Sequence, residues 1–421
     1  MKILMMVRLL PPAEVGGAER QCLRQAKALA ARGHEVAILT QWVHAGSPRR
    51  EERDGVTILR YGSLLPIAGA VRRLHGWAVA GKKARAAGQE PGRTGAFAPS
   101  RSGGGKFRWM SLVERPGAWS FLAEIRRALR RGRLAADVVH AHESLWIAGV
   151  AQWVAEELGA PAFCKEAFLP VLLFPGAADV PRAEEWKARR MRCRFVAMTA
   201  DIRRELETAG ISGERIVEIP NGVEVPAARA EPGAKATALY VGNISQGAAH
   251  KAFDVLLEAW GKAVAMEPGM RLRICGAGEA GIWREHAGRC GCGDTVVFEG
   301  SVKDVAAVHR ECGYIVLPSR REGMSNALLE AMASGLPAVV SDIPGNLAVV
   351  EDGRSGLAVP AGDADALAQA MVRMYRSPEM RAEMGRAARK RIEERFEIGG
   401  VAERLEGAYR AALGGREPAA G

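Results

Sequence analysis

Arg321-Glu322-Gly323-Met324-Ser325-Asn326-Ala327-Leu328-Leu329-Glu330-Ala331-Met332-Ala333-Ser334-Gly335-Leu336-Pro337 decides how this chain folds. The apolar run ahead of it, Tyr314-Ile315-Val316-Leu317-Pro318-Ser319, reads as a buried strand that ends in a turn. The spacing predicts a helix starting near Ser325 or Asn326, both good N-cap types. Gly335 and the following Pro337 stop it. Glu322 then sits on the loop entering the helix, and Glu330 lies about a turn inside. In open α/β sheets, ligands bind at the carboxyl ends of strands. Carboxylates accept hydrogen bonds from hydroxyls, and a helix N-terminus attracts anions. That pairing suits a ligand that is part sugar and part phosphate.

Working outward, strand and helix patterns alternate along most of the 421 residues, which implies parallel sheets covered on both faces. The length favours two domains. Ile3–Val7, a Gly-containing loop, a helix from about Ala18 to Arg32 and the strand Glu35–Thr40 form the first unit. Residues 84–119 break the pattern with Gly, Arg and Ser and are expected to be a mobile insertion. A basic helix over Ser120–Arg131 and the strand Asp137–His140 follow. The Pro- and Ala-rich stretch from Pro226 to Lys235 reads as a linker. A second alternating series follows it. The expected domains are 1–228, a linker at 229–236, 237–400, and a closing helix and tail at 401–421.

The composition excludes several classes. Hydrophobic residues make up 48% and charged residues 25%, a globular balance. The net charge is +11, with a basic excess that includes Arg72, Arg73, Lys82, Lys83, Arg126, Arg127, Arg130, Arg131 and Arg133. Such a face is either merely solvated or meets anionic lipid headgroups or an acidic acceptor. No nucleic-acid motif is present and few aromatics interleave the charges, so nucleic acid is not an expected partner. No apolar run approaches the roughly 20 residues that span a bilayer. The N-terminus reads as a first strand rather than a signal peptide. The seven cysteines are scattered and offer no four-ligand zinc set, so reduced thiols in a cytoplasmic setting are the simplest expectation. Asp363-Ala364-Asp365 spells a metal-binding string, but its place after Val359-Pro360 favours helix capping. Gly276-Ala277-Gly278 lacks the third glycine and acidic partner of a dinucleotide fingerprint.

Four segments, in order, resemble a retaining glycosyltransferase of the GT-B type, glycosyltransferase family 4 or group 1. They are Gly16-Gly17-Ala18-Glu19-Arg20; Ile219-Pro220-Asn221-Gly222-Val223-Glu224; Tyr240-Val241-Gly242-Asn243 with Lys251-Ala252-Phe253-Asp254; and the Glu322–Glu330 stretch. The resemblance runs from Met1 to about Ala411, outside the insertion. It implies two Rossmann-like αβα domains facing across a cleft, with no metal and no cofactor beyond a nucleoside-diphosphate sugar as co-substrate. It implies catalytic roles for Lys251, which neutralises the leaving diphosphate, and Glu322, which binds donor-sugar hydroxyls. It implies donor contacts from Gly16, Gly17, Asn243, Gly276, Gly278, Gly323, Met324, Ser325 and Asn326, with Glu330 on the ribose. Asn221 is expected to be structural.

Two departures stand out. Asn243 occupies the place of the family's usual arginine, so Lys251, Arg320 or Arg321 has to supply the charge. The cleft histidine of many relatives is missing near Phe163–Ala167. His140, His142, Lys165 and Glu166 are therefore the acceptor-side candidates. The implied activity is sugar transfer to a saccharide or lipid-linked acceptor in cell-surface polysaccharide or glycoconjugate assembly. The expected location is cytoplasmic, peripheral to an anionic membrane face. A nucleotide-sugar epimerase of the same fold and a non-catalytic binding subunit are the alternatives.

Overall fold

The computed structural model describes residues 1–11, 16–44, 46–62, 103–143, 146–166 and 183–414. The expected basic positions Arg72, Arg73, Lys82 and Lys83, and the first half of the expected insertion, lie outside the described residues.

The strands are short runs, mostly apolar apart from the charged Arg-Glu-Glu-Arg of β3: Lys2–Met6 (β1), Glu35–Gln41 (β2), Arg50–Arg53 (β3), Val56–Tyr61 (β4), Val138–Ala141 (β5), Ala162–Glu166 (β6), Arg194–Ala197 (β7) and Ile216–Glu218 (β8). These pair in the order β3-β4-β2-β1-β5-β6-β7-β8. Ala238–Val241 (β9), Leu272–Cys275 (β10), Val296–Gly300 (β11), Tyr314–Leu317 (β12), Ala338–Ser341 (β13) and Gly356–Val359 (β14) pair in the order β11-β10-β9-β12-β13-β14. Every residue of β5, β12 and β13 is buried, as expected where helices cover both faces of a parallel sheet. β3 runs antiparallel to β4. By contacts the chain forms two compact units, one built mainly from Met1–Lys165 and the other mainly from Val196–Tyr409.

Both strand orders reverse direction once. In the first sheet the chain steps from β1 outward to β2, then returns to place β5 on the other side of β1. In the second it steps from β9 to β10, then returns to place β12 beside β9. Loops leaving adjacent strands at such a reversal diverge, and a crevice opens at their carboxyl ends. The β1/β5 and β9/β12 junctions are therefore where this fold can take a ligand.

Local signals behave as their chemistry requires. Ser325 caps the helix Asn326–Ala333 by accepting from the Leu328 N–H, and Gly335 follows that helix at φ +92°. Asp363 accepts from the Asp365 and Ala366 N–H groups, so the D-x-D string is a cap. The linker is fastened to the second unit. The buried Arg381 donates to the Pro232 carbonyl at 2.8 Å, and the Ala230 N–H donates to the Ser334 carbonyl at 2.7 Å. The basic helix expected over Ser120–Arg131 instead runs Gly103–Arg130. Lys106–Glu114 contains Lys, Arg, Met, Leu and Glu, whose helix preference prevails over the glycines at the start. That part of the expected insertion is therefore helical.

Candidate active site

In the second unit, Lys251 follows β9 and Glu322 follows β12, and their side chains form an ion pair across the β9/β12 reversal. The pair is largely enclosed, with 20% of the lysine side chain and 10% of the glutamate side chain exposed. Ser319 Oγ donates to Glu322 Oε1 at 2.9 Å and fixes the carboxylate on its loop. Behind that loop, Ser341 Oγ donates to the Ser319 carbonyl, and Asn346 Nδ2 donates to Ser341 O and Oγ at 3.0 and 3.1 Å. This chain ties the ends of β12 and β13 together. Gly345 lies so close that a Cβ there would sit 2.4 Å from the Glu322 carbonyl and 2.5 Å from that of Gly323.

Asn221 also clamps the loop. It is buried, and its Nδ2 donates to the Met324 carbonyl and to Asn326 Oδ1, both at 3.2 Å. Its backbone N–H points to Met324 Sδ at 3.3 Å. Replacing Asn221 with alanine leaves that buried carbonyl without its amide donor. The expected cost is about 1–3 kcal/mol, with a higher KM for any ligand held by Glu322–Asn326. An unchanged melting temperature together with an unchanged KM would show that the clamp is idle.

The loops after β9 and β10 press together. The Gly242 N–H donates to the Cys275 carbonyl at 3.0 Å, and the Ile244 N–H to Ala277 at 2.9 Å. Gly276 admits this contact because it has no Cβ, and Gly278 takes φ +144° beside Ile244 and Ser245. Asn243 Oδ1 accepts from the Ser245 N–H at 2.7 Å, so this side chain shapes its own turn. Arg320 forks onto Asp254 at 2.8 and 3.0 Å and donates to the Ala249 carbonyl, so it is committed to the start of the helix Phe253–Met266. Arg321 is exposed and has no ion pair among the described residues. Burial, then the Lys251 charge, holds His250 below the usual histidine value, with Glu322 opposing the shift and Arg321 adding to it. Tyr240 is fully buried beneath Gly242, with no hydrogen-bond partner for its hydroxyl among the described residues. Burial, then Glu322, raises its pKa. Glu330 is half-buried on the helix, one turn beyond Ser325.

In the first unit, Gly16 and Gly17 precede and open the helix Gly17–Ala31, and both are exposed. The Gly16 N–H donates to Glu19 Oε2 at 2.8 Å. His140 on β5 and His142, just past its end, lie two residues apart and their rings stack at 4.5 Å. The β5–β6 register pairs His140 with Phe163, so Lys165 falls on the histidine face and Glu166 on the other. Lys165 is 3% exposed, and burial brings its pKa down to about 7. Burial, then Lys165, lowers His140 to about 3. Burial, His140 and Lys165 together keep His142 neutral as well. Among the described residues neither His142 ring nitrogen nor Lys165 Nζ has a hydrogen-bond partner. The structure thus gathers three of the four acceptor-side candidates and turns Glu166 away from them. No group of metal-binding side chains occurs among the described residues, and none of their helices is long and apolar enough to cross a membrane.

Two doubly wound sheets, each with a strand reversal where a ligand can bind, define a class of α/β proteins. Comparison with known proteins narrows it. The glycosyl transferase 4-like domain matches residues 16–222, and the domain described as glycosyl transferases group 1 matches residues 235–377. A phosphatidyl-myo-inositol mannosyltransferase of Mycobacterium leprae is 35% identical over 178 residues, 40% of this chain and 46% of the relative. The chain spans about half the length of this and the next curated relatives it matches. Among solved structures, sucrose-phosphate synthase from Thermosynechococcus elongatus superposes with TM-score 0.70 at 19% identity, covering 99% of this chain and 100% of that one. Anabaena HepE in complex with UDP-glucose gives TM-score 0.66 at 15% identity, covering 98% and 100%. The chain belongs to the glycosyltransferases of the GT-B fold.

Sequence reading missed Ser319, Asn346, Gly345 and Tyr240. A serine, an asparagine or a glycine in a loop carries no local sign of what it will meet. Asn221 was legible as a turn residue with an expected structural role, but not as a clamp on Met324.

Proposed function

We propose that the second unit binds a nucleoside-diphosphate sugar and that the chain transfers the sugar, with retention, to a saccharide or lipid-linked acceptor. The observation that carries this reading is the Lys251–Glu322 pair across the β9/β12 reversal. A diphosphate would draw the Lys251 ammonium, with Arg321 as second cation, and would free Glu322 to accept from sugar hydroxyls. The backbone N–H groups of Gly323–Asn326 at a helix start would add stabilisation for the anion. Gly276 and Gly278 would face the base, Asn243 would shape the loop beside them, and Glu330 would hold the ribose. In transfer with retention, the acceptor hydroxyl attacks the face the phosphate leaves, and a departing phosphate oxygen takes its proton. No protein base is then needed.

On the first unit, the exposed Gly16–Gly17 turn would let an anionic portion of a ligand approach the backbone closely at the start of the helix Gly17–Ala31. The His142–Lys165 group offers unpartnered polar atoms to the acceptor. The exposed Arg126, Arg127, Arg130, Arg131 and Arg133 suit an anionic lipid surface and a peripheral cytoplasmic position. The intact Lys251–Glu322 pair favours this reading over a non-catalytic subunit.

A thermal-shift screen of nucleotide sugars tests the proposal. A ligand at one hundred times its Kd adds about 2.7 kcal/mol, enough to raise the melting temperature by several degrees. If no nucleotide sugar shifts the melting curve and none is hydrolysed or transferred, the reading fails.

A further inference from the structure

Arg391 and Arg395 lie four residues apart on the helix Pro378–Arg395 and so share one of its faces. Arg404 belongs to the next helix, Ile398–Ala412. All three line one cavity of about 420 Å³, a size within the roughly 300–1,000 Å³ of small-molecule sites. The cavity lies wholly within the second unit. Met324, on the loop that follows Glu322, forms part of its wall, whereas Lys251, Glu322 and Glu330 do not.

The charges on this wall are unbalanced. Three carboxylates line it, but two are committed elsewhere. Asp201 is ion-paired with Arg204, and Asp342 accepts from the Ala361 N–H at 3.0 Å. The exposed Glu218 is the third. Among the arginines, Arg391 is turned to Glu351 and to the Val349 and Ala348 carbonyls. Arg404 donates to the Arg395 carbonyl at 2.6 Å, which holds it over the end of the preceding helix. The Arg395 guanidinium makes no hydrogen bond or ion pair among the described residues. Two guanidiniums therefore line the same space with no carboxylate partner. Burial, then the Arg395 charge, lowers the pKa of Arg404, the direction that two like charges without an anion between them produce.

The other walls add to this. The helix Ala200–Thr208 starts at the cavity, with Thr199, Ala200 and Asp201 on its wall, and a helix start favours an anion. Pro220, Phe396 and the exposed Leu347 contribute apolar surface. A phosphate carries about two negative charges and three terminal oxygens, enough for two guanidinium forks, whereas a carboxylate carries a single charge.

We propose that this cavity is a second ligand site, separate from the donor site, and that it takes a phosphorylated saccharide. Arg395 and Arg404 hold the phosphate through charge-assisted hydrogen bonds, Glu218 accepts from sugar hydroxyls, and the apolar surface covers a face of the ring.

Calorimetric titration of the full chain with glucose 1-phosphate, glucose and inorganic phosphate tests this, in wild type, Arg395→Gln, Arg395→Glu and Lys251→Ala. Glucose 1-phosphate is expected to bind wild type and Lys251→Ala alike. Arg395→Gln should weaken it about tenfold and Arg395→Glu about a hundredfold, the loss expected for hydrogen bonds to a charged group. Inorganic phosphate should bind about tenfold more weakly than glucose 1-phosphate, and free glucose more weakly still. Equal affinity for glucose 1-phosphate in wild type and both Arg395 variants overturns the proposal; a lowered ligand-free melting temperature with equal affinities would show that Arg395 only eases the dipole of its helix. If Arg395→Glu does not fold, Arg395→Gln decides. Binding lost in Lys251→Ala and kept in Arg395→Gln places the ligand in the donor site and overturns it too. Equal affinities for inorganic phosphate and glucose 1-phosphate overturn the saccharide assignment. If no probe binds wild type, the second site fails, whatever the nucleotide-sugar screen shows, because the two readings rest on different residues.

Discussion

Lys251→Ala is expected to reduce sugar transfer by about 10²- to 10³-fold in kcat, corresponding to roughly 3–4 kcal/mol of lost transition-state stabilisation. In the proposed transfer, a leaving diphosphate would gain negative charge as its bond to the sugar breaks. Lys251 is the cation that the fold holds at the β9/β12 reversal, in an ion pair with Glu322. Asn243 can supply no charge, and Arg320 is committed to Asp254. Arg321 remains as partial compensation, which is why the loss is not total. Stability should fall by only about 1–3 kcal/mol, because Ser319 still donates to Glu322. Lys251→Arg keeps the charge and should recover part of the activity. Steady-state kinetics with the donor found by the thermal-shift screen, alongside melting curves, separate the two effects. A kcat within tenfold of wild type would remove Lys251 from the catalytic role.

The second large effect is steric. In Gly276→Ala the new Cβ would sit 1.7 Å from the Gly242 carbonyl oxygen and 2.8 Å from its carbon. Neither side can yield easily. The Gly276 N–H is bonded to Gly300 at 2.7 Å, and Gly242 is bonded to Cys275 at 3.0 Å. The obstacle is backbone, so no rotamer change relieves it. The expected loss is about 3 kcal/mol, with a fall in melting temperature of roughly 6–12 °C. Nucleotide affinity should fall too, since the loop carrying Asn243 is forced away. Gly281→Ala is the control. A Cβ there meets nothing within 4 Å, and the residue lies in the helix Ala280–Arg289, so alanine should stabilise by up to about 1 kcal/mol. Equal melting temperatures for the two variants would mean that the loops after β9 and β10 do not hold each other.

What could be read in advance depended on the range of the interaction. Ser325 and Asp363 bond to N–H groups two or three residues away, so their roles as caps follow from the local sequence. The placement of Glu322 before the helix and Glu330 within it follows from the same period. The helix from Gly103 was hidden because three glycines and the nearby Arg and Ser residues signal a loop, while the helix preference builds up only further along. Asn221 shows the limit more sharply. Its partner Met324 is 103 residues away, and nothing near Asn221 in the chain signals a clamp.

The sequence by itself determined two α/β halves, the helix start beside Glu322, the lysine before Phe253 and the glycines at 16, 17, 276 and 278. These rest on period, capping and turn chemistry, which act over a few residues. The tertiary structure alone decided the strand orders, and with them which loops meet. The paired positions of Lys251 and Glu322 follow from β9 lying beside β12. Strand order is set by how whole sheets bury their faces, a sum over contacts distant in the chain. No local stretch of sequence, including the one around Glu322, records that sum.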